Sequence, residues 1–326
     1  MKHIIAYDGG GTKTHIAVFD EIGHLLYENI GAGCDHVLSD NKVYKANIEN
    51  LFLDALSQLK LDKKEINYIF LGLSGADIAS DFMVLNKVCH EIFGAIPFKI
   101  VNDAWIIMRS GLKSAYGAVA ISGTGTNSAA IGKHGKKAIL RSLGYTLGIY
   151  GGGLDIAREA LHYAFRAEEL TYKDTILERK IPLLLGCKNM NEVVDLFYPE
   201  TKISNKELGE ITGLVNQCAI VGDQVSQDIL IKIGKFIGEQ TAGVIKQVGI
   251  ESDEVPVVIG GRVFNGSSPL LIDEFKTNLH RTCPKAYILY PRYKPVVGAY
   301  LFALDELNIK QDSFIEQNLD ESSLVI

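Results

Sequence analysis

Twice along its 326 residues this chain runs an apolar strand into a glycine turn and out again into a second strand. The first instance is Ile4-Ile5-Ala6-Tyr7-Asp8-Gly9-Gly10-Gly11-Thr12-Lys13-Thr14. The second is the run 117–122, then Gly123-Thr124-Gly125-Thr126 and the strand 127–131. One glycine turn between strands is an ordinary hairpin. Its recurrence at the head of both halves is a much rarer coincidence and points to a role for the turns themselves. Glycine lets backbone approach a ligand closely, and successive N–H groups beside two hydroxyls and a lysine suit a phosphate chain. Asp8, closing the first strand, suits a hydrated magnesium ion, which prefers oxygen ligands and keeps most of its waters.

The rest of each half reads as helix–strand alternation. Apolar or alternating runs predict strands over 3–8, 14–19 and 25–30. Helical spacing over 42–60 puts Ile48, Leu51, Phe52, Ala55, Leu56 and Leu59 on one face. The near-continuous apolar run 66–73 predicts a strand covered on both faces. A helix over 78–93 and a strand over 97–101, ending in Asn102-Asp103, complete the first half. The second half has a third short strand over 138–142, then helices over 154–166, 205–220 and 224–248. A strand over 256–259, Gly260-Gly261, a helix from Pro269, a strand over 286–290 and a helix over 295–307 follow. The polar, acidic end beyond Asn308 is expected to fray.

Composition removes several function classes. A net charge of −6 gives no electrostatic case for nucleic acid or an anionic membrane as partner. No apolar stretch is long enough to span a bilayer, and no signal peptide precedes the first strand, so a cytoplasmic protein is expected. Cys34, Cys89, Cys187, Cys218 and Cys283 are scattered without a C-x-x-C pair, which argues against zinc or iron–sulfur sites and for reduced thiols.

Taken together, Asp8–Thr14, Ile121-Ser122-Gly123-Thr124-Gly125-Thr126-Asn127 and Val257-Val258-Ile259-Gly260-Gly261-Arg262-Val263-Phe264 resemble the two phosphate loops and the adenosine-binding turn of the sugar-kinase, heat-shock-ATPase and actin superfamily. Within it the chain is most similar to the BadF/BadG/BcrA/BcrD group that contains N-acetylglucosamine kinases. Leu71–Ala76, Val101–Ala104 and Pro295–Ala299 fall in matching order, and the resemblance covers about 4–307. It implies an α/β fold of two ribonuclease-H-like (actin-like ATPase) lobes with a nucleotide cleft between them: residues 1–112, then 113–307 with a helical insertion, then a tail, 308–326. It also implies ATP and Mg2+, the metal near Asp8 and the phosphates on Gly10, Gly11, Thr12, Lys13, Thr14, Gly123, Thr124, Gly125 and Thr126. Gly260, Gly261 and Phe264 then meet the nucleotide. Phosphoryl transfer is mostly positioning and charge neutralisation, so loops and a metal suffice for much of it.

Asp103 matches the family's catalytic aspartate. A carboxylate there accepts the sugar hydroxyl's proton as its oxygen attacks the γ-phosphate; the structural alternative is a helix N-cap before the run 104–112. Asp35 and His36 in the loop Gly31–Val37, with Ser74, Gly75, Ala76, Asn102 and Gly148, are the expected sugar contacts. Trp105 and Tyr145 are expected in core or pocket wall. Two departures bear on the acceptor. Ile149-Tyr150 stand where relatives carry an acidic pair in a Gly-Asp-Glu-Gly-Ser segment, which removes a charge-assisted hydrogen bond to a sugar hydroxyl. Asp35 stands near a position where relatives often have asparagine, and it suits hydroxyls or an amino group. The expected partners are therefore ATP and a small sugar, most simply an amino sugar such as N-acetylglucosamine, phosphorylated on its 6-hydroxyl by family resemblance. A homodimer is common in the family, and nothing in the sequence establishes one. Other readings stay open: a regulator, a degenerate kinase, or an ATPase activator of a radical dehydratase. The last needs cysteines that bridge an iron–sulfur cluster between subunits, and the scattered cysteines here argue against it.

Overall fold

The computed structural model describes residues 2–36 and 41–326, so Val37 of the expected sugar loop lies outside the described residues. The chain forms two compact units, one of residues 1–119 and 289–326 and the other of residues 120–288. The first sheet has the order β3-β2-β1-β4-β5, from β1 (His3–Gly9), β2 (Lys13–Asp20), β3 (Leu25–Ala32), β4 (Ile66–Leu73) and β5 (Phe98–Asn102). β1 runs antiparallel to β2 and parallel to β4, and β4 parallel to β5. Alternate residues of β1 and β2 serve opposite faces, as the pleat requires. Ile5, Tyr7, Ile16 and Val18 pack against α1 (Asn41–Leu59) and α2 (Ala79–Phe93) through Ile48, Phe52, Leu85 and Phe93. Ile4, Ala6, Ala17 and Phe19 face the other way, toward Ile106 of α3 (Asp103–Gly111).

The second unit repeats this plan with a sheet ordered β10-β9-β6-β7-β8, from β6 (Gly117–Ser122), β7 (Thr126–Ile131), β8 (Lys137–Ile139), β9 (Pro256–Gly260) and β10 (Tyr287–Leu289). Its helices are α4 (Gly153–Glu168), α5 (Leu177–Leu184), α6 (Met190–Val194), α7 (Asn205–Ile220), α8 (Gln224–Val248) and α9 (Leu270–Thr282). The short helices α5 and α6 went unanticipated because Pro182 and brief apolar runs give a weak helical period.

The carboxyl end corrects two expectations. Residues 289–307 were assigned to the second lobe, yet α10 (Pro295–Glu306) packs on the first sheet, with Val297, Tyr300 and Leu304 joining Ile4, Ala17 and Phe19. The supposed frayed tail folds as α11 (Ser313–Asp320): Asp312 caps it, Ile315 and Leu319 are buried in that core, and Asn318 Nδ2 donates to Ile22 O at 2.6 Å. Counting polar residues missed two apolar side chains four apart, one turn of helix. Leu319→Ala is accordingly expected to cost about 2–5 kcal/mol, the range for truncating a buried leucine. Equilibrium urea unfolding reads this directly, and a tail that contributed nothing would leave the midpoint unmoved.

Candidate active site

In the first unit the carboxyl ends of β1, β4 and β5 lie side by side, Gly9 opposite Leu73 and Leu73 opposite Asn102. Asp8 precedes the first glycine turn, which Gly10 N–H closes onto Lys13 O at 3.0 Å, leaving Gly11, Thr12 and Lys13 exposed. Thr14 is different: its side chain is buried and its hydroxyl donates to Ala32 O at 2.7 Å, inside the sheet. Two backbone bonds draw later segments against the turn, Cys34 N–H to Gly10 O (3.0 Å) and Ser74 N–H to Gly9 O (2.8 Å). They carry Asp35 and His36, and Ser74, Gly75 and Ala76, to the same edge of the sheet.

These residues form one polar network. Ser74 Oγ–H donates to Asp35 Oδ2 at 3.0 Å. His36 Nε2 faces Asp81 Oδ1 at 3.4 Å. Asn102 Nδ2 donates to Asp77 Oδ1 at 2.9 Å while Asn102 Oδ1 accepts from Ala104 N–H at 3.0 Å. Asn102 is therefore the N-cap of α3, and Asp103 is the first helical residue. Ala76 is buried. Burial, then the negative charges of Asp8 and Asp77, push the Asp103 carboxyl up to about 7, against an opposing hydrogen bond from Ala104 N–H. Burial pushes Asp8 up to about 6, with Lys13 opposing. Asp77 is raised to about 6 by burial and by Asp81 and Asp35, with His36 opposing. So close a set titrates as a group.

Asp77 and Asp81 went unremarked in the sequence. The signal for Asp81 was its place near the start of α2, where it accepts from the N–H groups of Asp77 and Ile78 at 3.0 and 2.9 Å. Asp77 carries no local signal, because only the parallel pairing of β4 and β5 brings it to Asn102.

Among the described residues no group of three or more His, Cys, Asp or Glu side chains is arranged to hold a metal directly. The donor chemistry still fits a hydrated magnesium ion. The charge of Asp8 raises Asp103 by repulsion, a cost that a divalent cation relieves, and an ion bound largely through its waters needs no protein cage.

The second unit carries the other glycine turn. Gly123 N–H bonds Gly125 O at 2.9 Å, Thr124 and Gly125 are exposed, and there is open space where side chains at Gly123 and Gly125 would stand. The hydroxyl of buried Thr126 donates to Ile121 O at 2.7 Å. The start of α4 abuts this turn, with Gly153 N–H on Gly123 O at 2.8 Å and Leu154 N–H on Thr124 O at 3.2 Å. A small pocket of about 110 Å³ adjoins it, lined in part by Thr124, Gly125, Ile149 and Arg158. Gly261 lies so close that a Cβ there would sit 2.2 Å from Ser122 O. The Gly123 turn and the Gly260-Gly261 turn thus pack backbone against backbone, while Phe264 is buried with its ring 5.4 Å from Phe275.

Ile149 and Tyr150 are each 6% exposed, and Tyr150 packs edge-on to Phe236 of α8 at 5.0 Å. Both are core residues. Gly148 beside them is exposed, and Tyr145, expected in core or pocket wall, is 72% exposed; Trp105 is buried as expected.

Two five-stranded sheets with helices on their faces, each with a glycine turn between strands, define an actin-like ATPase fold. The chain belongs to the BadF/BadG/BcrA/BcrD ATPase family, whose model matches residues 7–303. It is 27% identical over 307 residues to an N-acetylmuramic acid/N-acetylglucosamine kinase of Clostridium acetobutylicum, covering 94% of this chain and 99% of the relative. It is also 27% identical over 311 residues to an N-acetyl-D-glucosamine kinase of Dictyostelium discoideum, covering 92% and 97%. A Chromobacterium violaceum structure described as a candidate N-acetylglucosamine kinase shares the fold, with a TM-score of 0.69 at 17% identity over 92% of this chain and 98% of that one. No helix among the described residues is long and apolar enough to cross a membrane.

Proposed function

We propose that this protein is an ATP-dependent kinase of a small amino sugar, with Asp103 as general base. The observation that carries the reading is Asp103 itself, a carboxyl raised to about 7 at the head of α3, on the sheet edge that bears the Asp8 turn. The kinase names of both relatives support it.

In this mechanism the acceptor hydroxyl gives its proton to an Asp103 carboxylate oxygen as the hydroxyl oxygen attacks the γ-phosphorus of ATP. The new P–O bond forms as the bond from the γ-phosphorus to the β,γ-bridging oxygen breaks, releasing ADP. A base with a pKa near the working pH combines adequate ionised population with useful basicity. Gly10, Gly11, Thr12 and Lys13 offer N–H groups, a hydroxyl and an ammonium to the phosphates, and the family resemblance gives Gly123, Thr124 and Gly125 a phosphate-binding role as well. Mg2+ associated with Asp8 would neutralise phosphate charge when bound. Asp35, His36, Ser74, Gly75 and Asn102 serve the acceptor. Free thiols, four of them buried, suit a cytoplasmic enzyme.

The test is ATP consumption against a panel of free sugars and amino sugars across pH. Turnover is expected with a sugar present, and kcat/KM should rise with pH through an inflection near 7, because only ionised Asp103 takes the proton. Asp77→Asn removes a charge that raises Asp103 and should move that inflection downward. ATP binding without stimulation by any sugar would sink the kinase reading.

A further inference from the structure

Among the described residues, the acceptor side of this site is built mostly from hydrogen-bond acceptors. Asp8, Asp35, Asp77, Asp81 and Asp103 face it or stand directly behind it, against His36 and, at its edge, Lys13. An acidic cluster alone names no ligand; His36 supplies the second observation. Its side chain is only 9% exposed, Nε2 faces Asp81, and Nδ1 is buried with no hydrogen-bond partner. Nδ1 is also aimed at a definable place. A Cβ built on Gly75, which has φ +73°, would lie 3.2 Å from His36 Nδ1 and 3.0 Å from Asp35 Oδ1, so both atoms converge on the bare face of that glycine. In the tautomer that carries its hydrogen on Nε2, facing Asp81, the ring presents a lone pair at Nδ1. The neighbouring side-chain donors are already engaged, Ser74 Oγ–H with Asp35 and Asn102 Nδ2 with Asp77.

A place lined by a carboxylate oxygen and an imidazole lone pair calls for a group that only donates and carries positive charge. A protonated primary amine does both, with three N–H donors and no acceptor. An N-acyl group offers one N–H and adds a carbonyl that needs a donor of its own. We propose that the acceptor is a sugar with a free, protonated amino group, held by Asp35 and His36 over Gly75, in preference to its N-acylated form. This rests on the kinase reading above and narrows its substrate.

The test measures kcat/KM for glucosamine, N-acetylglucosamine and glucose with the full chain, and binding of glucosamine by calorimetry. Glucosamine is expected to exceed N-acetylglucosamine by about 10-fold or more, the effect of one charge-assisted hydrogen bond. Asp35→Asn should lower the glucosamine value by about 10–100-fold and cut the ratio of glucosamine to glucose by about 10-fold or more. His36→Gln, which keeps the shape and changes the acceptor, should reduce the amine preference in parallel if Asp35→Asn does not fold. A preference for N-acetylglucosamine, or an amine preference that neither variant alters, overturns the inference and leaves a kinase in place. Glucosamine binding that depends on Asp35 without turnover supports the amine site and sinks the kinase reading. The absence of both glucosamine binding and glucosamine turnover overturns the amine site.

Discussion

Asp103→Asn is expected to lower kcat by about 10²–10⁴-fold, the range for a positioned general base, while making the protein harder to unfold. The two effects have one cause. Burial and the charges of Asp8 and Asp77 hold the Asp103 carboxyl at about 7, above its ordinary value of 3.8. Between those two pH values the folded state holds a proton that the unfolded state has released, so this group's contribution to stability falls as pH rises through that window. Asparagine removes the titration. The thermal midpoint of the variant should therefore match the parent near pH 4 and exceed it increasingly toward pH 8, by about 2–4 °C for each kcal/mol recovered. Differential scanning fluorimetry across pH, beside steady-state rates, reads both. Unchanged kcat would remove Asp103 from the chemistry, and a midpoint gain independent of pH would mean that its charge is not the source of the cost.

Gly298→Ala carries the second large effect and acts through packing. In an exposed helix this change would add about 1 kcal/mol of stability. In α10 the new Cβ would stand 1.9 Å from Ile106 O and 2.9 Å from Ser110 N, both backbone atoms of α3. Neither atom can turn aside as a side chain would, so the two helices must part. A cost of about 3 kcal/mol is expected, at the upper end for overpacking. Because α3 begins at Asp103, the same movement displaces the base, and a shift of about 1 Å in a catalytic group can cost about 10²-fold in rate. Urea unfolding together with kcat at saturating substrates checks the pair. Full stability would show that α3 and α10 separate freely, and lost stability with unchanged kcat would uncouple α10 from the site.

How much was legible in the sequence varied with how local the cause is. The strands, the major helices and both glycine turns were readable because period, apolar runs and turn residues act over a few neighbours. The position of Asp103 between a strand and a helix was readable too, because its place after an apolar strand and Asn102 is a local pattern. Thr14, Thr126 and Phe264 were harder. Each sits inside a motif that suggests ligand contact, yet Ala32 O, Ile121 O and the Phe275 ring engage their side chains. Ile149 and Tyr150 read as a lost acidic pair; packing beside α8 makes them core.

By itself the sequence determined a two-part α/β chain with two glycine turns, an aspartate at the end of a strand, and membership of an ATPase family. Those properties follow from short-range backbone preferences and from alternation of apolar residues, which any window of the chain displays. Only the tertiary structure decided that α10 and α11 return to cover the first sheet, and that Asp77 and Asp81 join Asp35 and His36 beside Asp103. It also decided that His36 Nδ1 is left without a partner above Gly75. The reason is that burial and the repulsion between carboxylates arise from residues brought close by parallel strand pairing and helix docking. Asp8, Asp35, Asp77 and Asp103 are spread over nearly a hundred positions of chain, and no local pattern records that they meet.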